Sequence, residues 1–112
     1  MLKVENRLSL RYFRQEIESK GKSFRTPYFS LLYLVEPKIS SPKFAFLISK
    51  RILKLSVDRH SLKRRLSQII KDNLDKVNPH LQLIIIPSFK SLNLDNNSLE
   101  ESLLNAIVNL SL

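Results

Sequence analysis

Between Lys50 and Lys71 the chain carries eight Lys or Arg residues and a single acid, Asp58. Arg59 and Lys63 are four apart, as are His60 and Arg64. On a helix such pairs stand one above the other, and the two pairs lie side by side as one basic strip. Like charges at this spacing cost an isolated helix a few tenths of a kcal/mol each. A sequence that accepts several such repulsions gains something from a polyanion. A solvated cationic face without a ligand ordinarily interleaves acids at the same spacing, and here they are missing. Arginine meets phosphate through two parallel hydrogen bonds, lysine acts as a point charge, and a rigid helix fixes their separation.

Other chemistries find little material. The chain has no cysteine, which excludes a disulfide framework and a thiolate metal site. His60 and His80 are too few and too far apart for a zinc site by spacing. No carboxylate pair or Ser/His arrangement stands out, and the one glycine, Gly21, cannot make a phosphate-cradling loop. A protein enzyme in its own right is therefore the weakest reading.

The elements that must position the strip follow from the hydrophobic pattern. Leu10, Phe13 and Ile17 form one face of a helix over Leu8–Ser19, which Ser9 can cap. Gly21 follows, where a left-handed C-terminal cap is wanted. After the connector Lys22–Pro27, Tyr28–Val35 is aromatic and apolar at nearly every position and predicts a strand. Glu36–Pro42 is a turn, and Lys43–Ser49 is a second strand, antiparallel to the first if that turn closes a hairpin. Lys50–Ser56 is a basic linker.

The long helix runs from about Val57 to about Val77, capped by Ser56 or Asp58. Leu62, Leu66, Ile69, Ile70, Leu74 and Val77 make its buried stripe, and Asn78-Pro79 stops it. Leu81–Ile86 is continuously apolar and ends at Pro87, which suits a central strand buried on both sides. Beyond the polar loop Ser88–Asn97, Ser98 and Glu101 match a capping box. Leu99, Leu103, Ile107 and Leu110 line the last helix. The expectation is an α+β fold, a single-domain α-β-β-α-β-α sandwich over residues 1–112 with a small mixed sheet. It leaves room for one extra short strand near Phe24.

The net charge is +9 over 112 residues, unevenly spread. Residues 1–71 hold 17 of the 19 cations and 5 of the 10 acids, a balance of +12, whereas residues 72–112 stand at −3. Such a footprint fits a nucleic-acid partner. No apolar run approaches the ~20 residues of a membrane span, and the chain turns polar at once after Met1. The expectation is a soluble cytoplasmic protein with no membrane contact.

The segment Ile48-Ser-Lys-Arg-Ile52, followed by Ser56-Val-Asp-Arg-His-Ser-Leu-Lys-Arg-Arg-Leu66, resembles the signature of the ribonuclease P protein component. That family's pattern reads roughly Val-Ser-Lys-Lys, a short loop, then Ala-Val-x-Arg-Asn-x-x-Lys-Arg-x-x-Arg. Arg11-Tyr-Phe13, Gly21-Lys-Ser-Phe-Arg25, the aromatic strand ending near Tyr33, and Leu83–Ile86 fall in the family's order on either side.

The resemblance implies a ribosomal-protein-S5-domain-2-like fold. It also implies the accessory subunit of a ribonucleoprotein endoribonuclease, a hydrolase of tRNA processing that removes the 5′ leader of precursor tRNA. Its partners would be ribonuclease P RNA and precursor tRNA, with no protein partner required. Catalysis and Mg²⁺ would reside mainly in the RNA, so this chain would hold no catalytic residue. RNA-subunit contacts would fall on Lys50, Arg51, Arg59, His60, Lys63 and Arg64. Leader contacts would fall on Phe13, Ile17 and Tyr33, in a cleft where unpaired bases pack on aromatic or apolar side chains.

Three departures stand out. His60 replaces the family's Asn. Ser67 replaces its last Arg, and Arg65 points about 160° away from that position. The loop between Lys50 and Val57 lacks glycine and is one residue longer. The register of the first strand decides whether Tyr33 or Leu32 faces the cleft. Another RNA-binding protein of ribosomal type is the alternative reading.

Overall fold

The structure, a computed structural model, describes residues 2–110, apart from the side chains of Tyr12 and Phe13. In chain order the elements are α1 (Leu10–Lys20), β1 (Lys22–Arg25), β2 (Phe29–Val35), β3 (Lys43–Phe46), α2 (Ser56–Asp72), β4 (Leu81–Pro87) and α3 (Asn96–Val108). Short 3-10 turns lie at Val4–Asn6, Leu74–Lys76 and Phe89–Asn93. The mixed α+β class is as expected, and the extra strand is β1, around Phe24.

The strands form one sheet in the order β1-β2-β4-β3. β1 and β2 are the hairpin, turned at Thr26, whose hydroxyl accepts from the amides of Tyr28 and Phe29. β2 and β3 are not a hairpin. The apolar run of β4 inserts between them, antiparallel to β2 and parallel to β3. The reason lies in burial: β4 has no polar face to turn to water, so it takes the centre, where both faces are covered.

Alternation along the strands sorts two cores. Phe29, Leu31 and Tyr33 of β2, Leu81, Leu83 and Ile85 of β4, and Phe44 of β3 face α2 and α3. Leu32, Leu34, Ala45, Ile84 and Ile86 face the other way, where Ile17 of α1 and Leu8 cover part of them. The chain ahead of α1 runs along the outer edge of β3. There the Leu8 amide donates to the Phe44 carbonyl at 2.8 Å, and the Asn6 side chain donates to the Pro42 carbonyl at 2.9 Å. An edge so covered cannot recruit a foreign strand.

Helix ends depart from the sequence reading in four places, and the largest is that α2 stops at Asp72, short of the expected Val77, with Leu74 in a separate 3-10 turn and Val77 just after it. Gly21 closes α1 in extended backbone, φ −84° and ψ −175°, not in the left-handed region. Its requirement is steric: a Cβ there would collide with the carbonyl oxygens of Ile17 and Tyr33. α2 starts one residue earlier than expected, at Ser56, with Leu55 as an N-cap that offers no side-chain acceptor. α3 is capped by Asp95, whose carboxylate accepts from the Ser98 amide at 2.7 Å, rather than by Ser98 itself. That hydrogen bond, with a second from the Ser98 hydroxyl, holds the Asp95 carboxyl below its ordinary value of 3.8.

Candidate nucleic-acid interface

α2 buries Leu62, Leu66, Ile69 and Ile70 against the sheet and α3, which fixes where its other side chains point. At about 100° per residue the cationic strip divides in two. His60 and Arg64 stand well away from the buried stripe and are exposed. Arg59 and Lys63 lie on its flank and are half-buried. One guanidinium nitrogen of Arg59 donates to the carbonyls of Leu53 and Lys54 at 2.9 and 2.7 Å, which ties the incoming loop to the first turn of the helix.

Lys63 lines an open cavity of about 230 Å³ with Arg7, Leu10, Phe46 and Ser67, at the edge of β3. Ser67 is itself buried, at 2 % exposure, so the position at which the family pattern carries its last Arg contributes no surface here. Arg65, on the opposite flank, donates to the Asn96 side chain at 2.9 Å and joins α2 to α3. Lys50 and Arg51 are exposed in the turn after β3, and the Arg51 amide donates to the Ser49 hydroxyl.

Lys50, Arg51, His60 and Arg64 thus share solvent-facing positions along one loop and the helix that follows it. Arg14 pairs with Glu18 on α1 at 2.9 Å, whereas no carboxylate lies within ion-pair distance of Lys50, Arg51, His60 or Arg64 among the described residues. The cations stay available to phosphate, and their Coulomb repulsion is relieved only by an anion.

The second candidate surface is the face of the sheet under α1. Leu32, Leu34, Leu47 and Ile86 are only half-buried there. Arg25 and Ser30 pair in register at one end of that face. It is an apolar trough with the exposed Arg25 at the β1 edge of its Ser30–Ile86 end, while Lys50 and Arg51 follow Leu47 in the chain beyond the β3 edge. Ile17 lies in this layer but is sealed, at 1 % exposure. Tyr33 does not belong to it. The register places Tyr33 beside Leu83 in the α2–α3 core, at 4 % exposure, and turns Leu32 and Leu34 to the trough. The side chain of Phe13 lies outside the described residues.

The trough residues Leu34 and Ile86 were missed from the sequence because a run apolar at every position hides which alternate set faces out. The burial of Phe29 and Leu31 fixes that phase.

A small mixed sheet, an unneutralised cationic helix and a half-covered apolar face define an α+β RNA-binding protein. The sequence model of the family Ribonuclease P matches residues 2–111. The ribonuclease P protein component of Pseudanabaena sp. (strain PCC 6903) is 31% identical over 85 residues, which covers 76% of this chain and 73% of that one. The RNase P protein from Thermotoga maritima superposes with a TM-score of 0.85 at 23% identity, covering 94% and 97% of the two chains. That of Staphylococcus aureus gives 0.80 at 19% identity, covering 90% and 91%. The chain belongs to the ribonuclease P protein family, and its role is that of the protein subunit, with ribonuclease P RNA as its partner.

Proposed function

We propose that the α2 strip, with Lys50 and Arg51, docks the chain on ribonuclease P RNA, while the trough under α1 receives the 5′ leader of precursor tRNA. The observation that carries this reading is the run of exposed cations without an ion-pair partner on the α2 side of the sheet, together with an apolar face left half open on the other side. Counterion release drives the first contact, and sequence-tolerant packing of unpaired bases drives the second.

The catalytic centre then belongs to the RNA. The surface that meets it offers Lys, Arg and His side chains, whereas Mg²⁺ takes oxygen ligands and is repelled by clustered cations. The ion is held by RNA phosphates, and the protein's part is to lower phosphate repulsion and to favour precursor over product. The setting of this work is the cytoplasm.

The test is cleavage of a 5′-extended tRNA by the cognate RNA, with and without this protein. The expected result is leader removal at low Mg²⁺ only when both are present, and none by protein alone. Efficient cleavage by the protein alone sinks the proposal. So does a protein that co-sediments with ribosomal subunits and leaves processing unchanged. The leader assignment has its own check. Leu34→Ser with Ile86→Ser should narrow the affinity gap between precursor and leaderless tRNA, while RNA-subunit binding holds.

A further inference from the structure

The loop entering α2 carries a feature that phosphate binding leaves unused. Leu55 is 65 % exposed and Val57 is 75 % exposed, two residues apart, where the chain is otherwise at its most cationic. Val57 stands at i, i+3 and i+7 with His60 and Arg64, so it heads the same solvent-facing stripe. Lys50, Arg51 and Lys54 are exposed on the other side of the pair. Single exposed apolar residues are ordinary. Two at the tip of a basic strip, on backbone held in place, call for an account.

The holding is specific. The amides of Ile52 and Leu53 both donate to the Ser49 carbonyl at 3.2 Å, and Arg59 fastens the carbonyls of Leu53 and Lys54. Leu53 is packed against the main core. With the residues before it anchored and the helix starting just after, Leu55 is presented outward on a fixed frame. Backbone already held in place loses little further freedom when something covers the side chains it presents.

We propose that Leu55 and Val57 form an apolar tip that packs on an unstacked base of the RNA to which the strip binds. The occupant follows from charge: around the tip, from Lys50 to Arg65, seven Lys or Arg side chains stand against one acid, Asp58, and phosphates flank any exposed base. Every base offers a flat apolar face to such a tip. In this arrangement Arg59 is a positioning residue as much as a phosphate contact. The inference rests on the α2 strip being the RNA-binding surface.

The test separates the two. Affinity of the full chain for its ribonuclease P RNA is measured across a salt series for wild type, Leu55→Ser/Val57→Ser, Leu55→Met and Arg64→Ala. Phosphate contacts set the slope of log affinity against log salt, whereas apolar contact is nearly independent of salt. The double variant should bind about tenfold more weakly at every salt, about 1.4 kcal/mol, with an unchanged slope and an unchanged melting temperature. Leu55→Met should bind as wild type does. Equal affinity of the double variant and wild type overturns the tip while leaving the strip standing, provided Arg64→Ala lowers the slope. A slope that changes in the double variant overturns it as well. Loss of binding to anionic phospholipid vesicles with RNA affinity intact would assign the tip to a membrane and overturn the RNA base. A wild-type chain that does not bind the RNA refutes the underlying reading itself.

Discussion

Replacing Gly21 by Ala puts a methyl group against two backbone oxygens at once, the Ile17 carbonyl that accepts the last turn of α1 and the Tyr33 carbonyl of β2. Neither is the loose end of a side chain, so relief requires α1 to move off the sheet or β2 to bend. Overpacking of this kind costs typically ~1–3 kcal/mol, and clashes with backbone fall at the upper end. Against it, Ala restricts the unfolded chain and returns ~0.4–1 kcal/mol, because φ −84° suits any residue. The net loss is about 2 kcal/mol. With an unfolding entropy of ~2.1 cal/mol/K per residue over 112 residues, that lowers Tm by about 8 °C. Thermal melts followed by circular dichroism read the shift directly. Gly21→Asn is the discriminating control, since Asn tolerates left-handed backbone but carries a Cβ. It should be at least as damaging as Ala. Unchanged stability in Gly21→Ala, or rescue by Asn alone, would refute the steric argument.

Further outcomes follow from the same geometry. Arg64→Ala, at an exposed position, should leave Tm in place and reduce the salt slope of RNA binding by about 0.7–0.9, measured by filter binding or fluorescence. Ile85→Ala empties a fully buried site in the central strand and should cost about 2–5 kcal/mol in urea denaturation, with an unchanged m-value. The depressed carboxyl of Asp95 adds stability that is present above its ordinary value of 3.8 and lost as pH falls through the lower folded value. Asp95→Asn keeps an acceptor for the Ser98 amide and should match wild type near neutral pH. Its melts should lack that part of the acid dependence.

The class of fold was legible because its drivers are local. The helical stripe from Leu62 to Ile70 and the all-apolar run of β4 each specify an element and its burial. Pairing was not legible. The turn Glu36–Pro42 is short enough for a hairpin, and only the competition for the centre of the sheet excludes one. The strip was legible as charge, but its division was not. That Arg59 spends a guanidinium nitrogen on loop carbonyls, and that Ser67 is buried, depends on the angle at which α2 meets the sheet. Tyr33 shows the same limit, because one residue of register moves an aromatic side chain from an open trough to a closed core. Asp95 could have been found, since Asp followed three residues on by Ser98 is an N-cap spacing as good as the one chosen.

β4 sits at the centre of the sheet yet is the last strand to leave the ribosome. Until residues 81–87 emerge, the β1–β2 hairpin and β3 have no common partner, and two-stranded pieces are marginal in water. The cation-rich first 71 residues are therefore synthesised before they can fold, in a cell full of RNA. A nascent chain stalled short of Leu81 should be protease-sensitive throughout, and one extended past Pro87 and α3 should become resistant in a single step. The topology makes folding wait for the synthesis of β4, and so delays the moment at which the basic helix acquires a fixed shape.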